Sequence, residues 1–141
     1  MADLVITASA VLAGSGAPTK TGTAGAAIAA GEVVYLDSTT TGKWQLADAD
    51  AATAASRGNT SDFGIALSSA AANQPVVVQT SGAITLGPVL IAGTAYYLAD
   101  APGKLSPAAD VTGGDYVTLI GLAASATALN LDVQYSGVVS A

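Results

Sequence analysis

The chain alternates short apolar runs with clusters of Gly, Ser, Thr, Asp and Pro, and nearly every apolar run has the length of a β-strand. The clearest alternation lies near the C-terminus. Leu129, Leu131, Val133 and Tyr135 fall on one face of an extended segment, and Asn130, Asp132, Gln134 and Ser136 on the other. Earlier, Val76, Val78 and Thr80 oppose Val77 and Gln79. "EVVYLD" (32–37) and "TAYYLA" (94–99) read as strands that enter tight turns, "TTTGK" and "DAPGK", and return as "KWQLA" and "KLSPA". Gly42 and Gly103 supply the positive φ such turns need, Pro102 presets its own φ, and Gly31 and Gly93 mark the turns before each hairpin. Only "DADAATAASRG" (48–58) could be helical, capped by Asp50 and stopped by Gly58, and a plain loop fits it equally well. The pattern predicts an all-β chain of about ten to twelve short strands.

The two hairpins belong to a longer self-match. Thr23, Gly25, Ile28 and Gly31 correspond to Thr85, Gly87, Leu90 and Gly93, and Tyr35-Leu36 to Tyr97-Leu98, all 62 residues apart. Gly42-Lys43 corresponds to Gly103-Lys104, "FGIALSSA" (63–70) to "IGLAASA" (120–126), and "VVVQTSG" (76–82) to "LDVQYSG" (131–137). The order of landmarks never changes while the spacing shrinks, so the second copy has shorter loops. This predicts an N-terminal arm, residues 1–22, and a β-domain, residues 23–141, made of repeats 23–84 and 85–139. A copy of that size buries too little surface to stand comfortably alone, so the two are expected to share one core as a single pseudo-symmetric sandwich or barrel.

Composition narrows the partners. Only 10% of the 141 residues are charged, with 4 Lys+Arg against 10 Asp+Glu and a net charge of -6. Average soluble domains carry roughly 25% charged residues, so this surface is built from Ala, Gly, Ser and Thr and suits a protein packed against others. The four cations, Lys20, Lys43, Arg57 and Lys104, are scattered, which argues against a nucleic-acid partner. The N-terminal stretch "MADLVITASAVLAGSGA" lacks a positive start and carries Asp3, so it reads as structure and not as a leader. No apolar run is long enough for a membrane helix, and no membrane partner is expected.

Candidate chemistry is sparse. Without His or Cys there is no imidazole base, no Ser-His-Asp triad and no thiolate metal site. "GSGAPTKT" (14–21) has Thr19 where a phosphate loop needs Gly before its Lys. Asp48 and Asp50 could meet a hard cation, but the neighbouring oxygen ligands of a calcium loop are missing. Asp37 and Asp100 read as turn formers. The expectation is a non-enzyme with no catalytic residue, no metal and no cofactor. Tyr35 and Tyr97 occupy matching positions and read as packing residues at the core edge. Trp44 and Tyr96 have no aromatic counterpart in the other copy, which makes them candidate interface anchors. The apolar N-terminal residues Leu4, Val5, Ile6, Val11 and Leu12 join them, since an extended arm can add a strand to a neighbour's open edge.

The succession "GTAGAAIAAGEVVYLD", "GKWQLADAD", "FGIALSSA", "QPVVVQTSGAITLG", "GTAYYLAD", "GKLSP", "LIGLAAS" and "VQYSG" resembles the small head decoration, or cement, proteins of tailed bacteriophages. The resemblance covers nearly the whole chain and rests on pattern and composition. It implies a β-rich structural virion protein, made in the host bacterial cytoplasm and seated on the outer capsid surface where major capsid subunits meet. It also implies self-association, most often as a homotrimer, with the major capsid protein as partner. A phage surface or fibre-associated module that binds host-cell glycans is the alternative.

Overall fold

The computed structural model describes residues 3–108, 111 and 113–140. Eleven strands are defined: β1 Leu12–Ala13, β2 Thr19–Thr23, β3 Val33–Asp37, β4 Lys43–Leu46, β5 Phe63–Ala66, β6 Pro75–Gln79, β7 Gly82–Thr85, β8 Ala95–Leu98, β9 Leu105–Pro107, β10 Tyr116–Ala123 and β11 Ala128–Val139. The described helical structure is two three-residue 3-10 turns, Ala8–Ala10 and Ala55–Arg57. The helix allowed at 48–58 therefore shrinks to its last turn. Gly58 ends it at φ 115°, but Ala54, not Asp50, stands at its start.

The strands form two antiparallel sheets. The five-stranded sheet has the order β2-β6-β5-β3-β4, and the six-stranded sheet β1-β7-β11-β10-β8-β9. Setting β1 aside, the two orders are the same, each strand of the second standing for the strand five places earlier in the chain. Loop hydrogen bonds follow the same plan. The amides of Ala24, Ile28 and Gly31 bond the carbonyls of Gln74, Ala70 and Ala66, and those of Leu86, Leu90 and Gly93, each 62 residues on, bond Thr127, Ala126 and Ala123. Each unit opens with a strand that starts before the expected boundary, at Thr19 on the edge of its sheet and at Gly82 beside the short β1. Side-chain likeness fades on these largely exposed strands while the backbone pairing persists.

Layering follows from strand alternation. On the five-stranded sheet Val33, Phe63 and Ile65 point to the main core, which they share with Tyr96, Leu98, Leu105, Ile120, Leu129 and Leu131 of the other sheet. The opposite face of the five-stranded sheet carries Val34, Trp44, Ala66, Val76 and Val78, which form a second core closed by Ala24, Ile28 and Ala70. That closure is a curl of the sheet on itself, with Ala24 bridging to Trp44 and the Gly25 amide bonding the Trp44 carbonyl at 2.8 Å. Gly22 is required there, since a Cβ would run into the Trp44 indole.

The N-terminal segment takes part in the fold. The Leu4 amide bonds the Leu105 carbonyl at 2.8 Å, in the place that Gly25 and Trp44 occupy in the first unit. Leu4 and Ile6 pack against the main core and Val11 is buried within it. β1 then pairs with β7, and β2 with β6. The arm expected at residues 1–22 to reach a neighbour instead packs, in its described part, on its own chain: one edge of the six-stranded sheet is capped by residue 4 and the other by residues 12–13, because unpaired edges and core rims gain more from these contacts than solvent offers.

Candidate functional site

Seven residues were expected at an interface, and the structure divides them. Trp44 and Tyr96 are each 2% exposed, so neither can anchor a partner. Trp44 fills the second core, and the Tyr96 hydroxyl accepts a hydrogen bond from the Ile91 amide at 3.0 Å. Leu4, Ile6 and Val11 are used by the main core. Val5 and Leu12 remain exposed. The turn glycines stand as expected, with φ 95° at Gly31, 67° at Gly42, 81° at Gly93 and 77° at Gly103.

The open surface lies elsewhere, on the outer face of the six-stranded sheet. Register places Leu12 beside Thr85 and Thr85 beside Ala128. The next row sets Ala83, Asn130, Leu122 and Ala95 side by side, and a third sets Gln134, Leu119 and Tyr97 together. Leu122 is 52% exposed and Leu12 62%. A hollow of about 190 Å³ is lined by Leu119, Gly121, Leu122, Asn130 and Asp132, and one of about 200 Å³ by Tyr97, Ala108, Val111, Val117 and Ser140. The corresponding residues of the first unit are Val33 for Ala95, Tyr35 for Tyr97 and Ile65 for Leu122. Val33 and Ile65 are fully buried, and Tyr35 packs against the same main core. The face that the first unit covers with the second is uncovered on the second.

Charged groups add little to this face. Each of the four cations is engaged: Lys20 with Asp62, Lys104 with Glu32 at 3.6 Å, Lys43 with the Asn73 side chain at 2.5 Å, and Arg57 over the Tyr116 ring at 3.8 Å. Arg57 also donates to the Ala51 carbonyl at 3.0 Å. No positive patch arises from them.

Acids do gather at one place that sequence spacing could not show. Asp50, Asp100 and Asp115 present carboxylate oxygens within 4.8 Å of one another. Backbone bonds from Ala49 to the Ala99 carbonyl and from Tyr116 to the Ala49 carbonyl draw these three chain segments together. Burial raises the Asp48 carboxyl to about 6, helped by its hydrogen bond with Asp50 and by the charges of Asp50 and Asp100. Asp48 therefore offers proton uptake under mildly acidic conditions. Asp37 behaves oppositely: slight desolvation pushes it up, but hydrogen bonds from Thr41, Thr40 and Thr39 outweigh this and hold it below the usual carboxylate range. Tyr35 is raised by burial and then by the charge of Asp37, with hydrogen bonds from Thr53 and Ser56 opposing. None of these groups is joined by a base or nucleophile in a catalytic arrangement among the described residues.

No helix among the described residues is long and apolar enough to cross a membrane. No protein-family model, curated protein or solved structure matches the chain.

Proposed function

We propose that this chain is a structural particle protein that binds the outer surface of a phage capsid at junctions between major capsid subunits and stabilises the shell. The observation that carries the reading is the uncovered face of the six-stranded sheet. Its first-unit counterpart is an intramolecular sheet-packing surface, and the second unit keeps Leu119, Leu122, Ala95 and Tyr97 on this face beside the polar Asn130, Asp132 and Gln134, a mixed apolar and polar surface of the kind found at non-obligate interfaces. Leu122 and Leu12 are 52% and 62% exposed, so covering what remains would contribute about 1–2 kcal/mol each. The weakly charged surface, the absence of a free cationic patch and the sequence resemblance support the same reading. A partner that binds only the assembled shell stabilises it by mass action, without any catalysed step. In this reading the chain acts as a homo-oligomer, a trimer, on the virion exterior, where a net charge of -6 keeps it away from packaged DNA.

Imaging of the source particle at a resolution that separates strands tests this. The reading expects this two-sheet fold between neighbouring shell subunits, with the Leu122 face turned toward one of them. Density for the fold at tail or fibre tips alone would contradict it and favour a recognition module.

A further inference from the structure

A cleft of about 420 Å³ lies between the segment 58–63, residues 80–81 and β11. That volume is in the range of small-molecule sites, and its position at a junction of the two sheets is where such sites commonly form. Its walls carry the side chains of Asn59, Ser61, Thr80, Ser81, Asp132 and Tyr135. Thr60 also lines the cleft, and the described intramolecular side-chain hydrogen bonds engage two of these groups: Asp132 accepts from Gln134 at 3.0 Å and Thr60 Oγ1 accepts from the Asp62 amide at 3.1 Å. Phe63 and Val133 give the cleft an apolar floor. No cation among the described residues lines the cleft, and Lys20, paired with Asp62 of the 58–63 segment, is neutralised by that ion pair.

We propose that this cleft binds a neutral saccharide unit. A sugar ring presents hydroxyls that both donate and accept around a body whose faces are C–H. The cleft offers the complement: a carboxylate that only accepts, an amide and hydroxyls that do both, and an apolar floor with a half-buried tyrosine at its side. An anionic ligand would meet Asp132 with no cation among the lining residues to offset it, and Asp132 is the one charged group in the lining, so a hard cation would have to take its remaining ligands from neutral oxygens. The site gives the glycan-recognition alternative raised by the sequence a definite place, and it does not depend on the outer-face docking reading.

The test is a two-dimensional amide NMR titration of the full chain with glucose, galactose, N-acetylglucosamine and maltose, and with choline as a cation control. At least one neutral sugar is expected to shift the amides of Ser61, Ser81 and Val133 with an affinity in the millimolar range or tighter. The double variant Thr80→Ala/Ser81→Ala, at half-buried positions, and the variant Asp132→Ala should each weaken that binding at least tenfold while keeping wild-type spectral dispersion. Val5→Ala, at an exposed site outside the cleft lining, should leave it unchanged. Absence of shifts with all four sugars, shifts confined to other surfaces, undiminished binding in folded cleft variants, or a stronger response to choline would each overturn the proposal.

Discussion

Tyr35 and Tyr97 stand at equivalent positions 62 residues apart, yet Tyr35 packs against the main core while Tyr97 looks out from the uncovered face of the six-stranded sheet. The two units are stacked in the same sense. The first turns its back to the second, and the back of the second faces away from the first. This single asymmetry explains why a chain with a shared core still exposes Leu122 where its counterpart Ile65 is fully buried.

Glycines of the sheet interior and of the turns should respond differently to a methyl group. At Gly64 a Cβ would press on the Gln79 carbonyl oxygen, and at Gly121 on that of Asn130. Backbone cannot yield as a side chain can, so Gly64→Ala and Gly121→Ala should each cost about 2–3 kcal/mol in urea unfolding. Gly42 has open space around it and only its φ of 67° to protect, so Gly42→Ala should cost about 1 kcal/mol.

The N-terminal segment should behave as core and not as an arm. Ile6→Ala, which strips a half-buried side chain from the main core, should lower stability by about 1–2 kcal/mol. Val5→Ala, at a site 82% exposed, should change it by less than about 0.5 kcal/mol. Equal, negligible effects in thermal or urea unfolding would restore the free arm.

Much of this fold was legible in the sequence, and the reasons for the rest are physical. Alternation of Leu129, Leu131 and Val133 against Asn130, Asp132 and Gln134 marked the faces of β11, and Gly42 and Gly103 marked both hairpins. Where both faces are apolar, as in Val33-Val34 or Val76-Val77-Val78, alternation shows two faces but not which core each one meets. Trp44 broke the internal symmetry because it fills a second core, a fact set by the Ala24 bridge and not by any local pattern. The meeting of Asp50, Asp100 and Asp115 depends on contacts between distant segments, so spacing along the chain could not disclose it.

Trp44 is the single tryptophan, which makes its burial directly readable. Its native emission should be blue-shifted and shielded from soluble quenchers, moving to the red on unfolding. Trp44→Ala should cost about 3–5 kcal/mol, as expected for emptying the second core. A red-shifted, readily quenched native spectrum would return Trp44 to the surface.

The acid cluster gives a pH signature. Folding raises the Asp48 carboxyl to about 6, so between pH 4 and 6 the folded state holds more protons than the unfolded one. Its contribution to stability therefore falls as pH rises through that window. Asp48→Asn keeps an acceptor for the Asp50 amide and removes the charge. It should stabilise the protein at pH 7 by about 1 kcal/mol after allowance for solvent screening, and by little at pH 4. A pH-independent difference between variant and wild type would contradict the assignment.

The central claim is that the uncovered face of the six-stranded sheet docks on a capsid shell. The most direct measurement adds purified wild-type protein or Leu122→Asp to expanded particles lacking it, and reads occupancy and rupture temperature at low and moderate salt. Wild type should fill its sites, raise the rupture temperature and stay bound in moderate salt, since screening weakens charge pairs far more than apolar burial. Leu122→Asp should fold with an unchanged urea midpoint yet bind at least tenfold more weakly. Wild type that does not bind, or a variant that binds and protects equally well, would contradict the account.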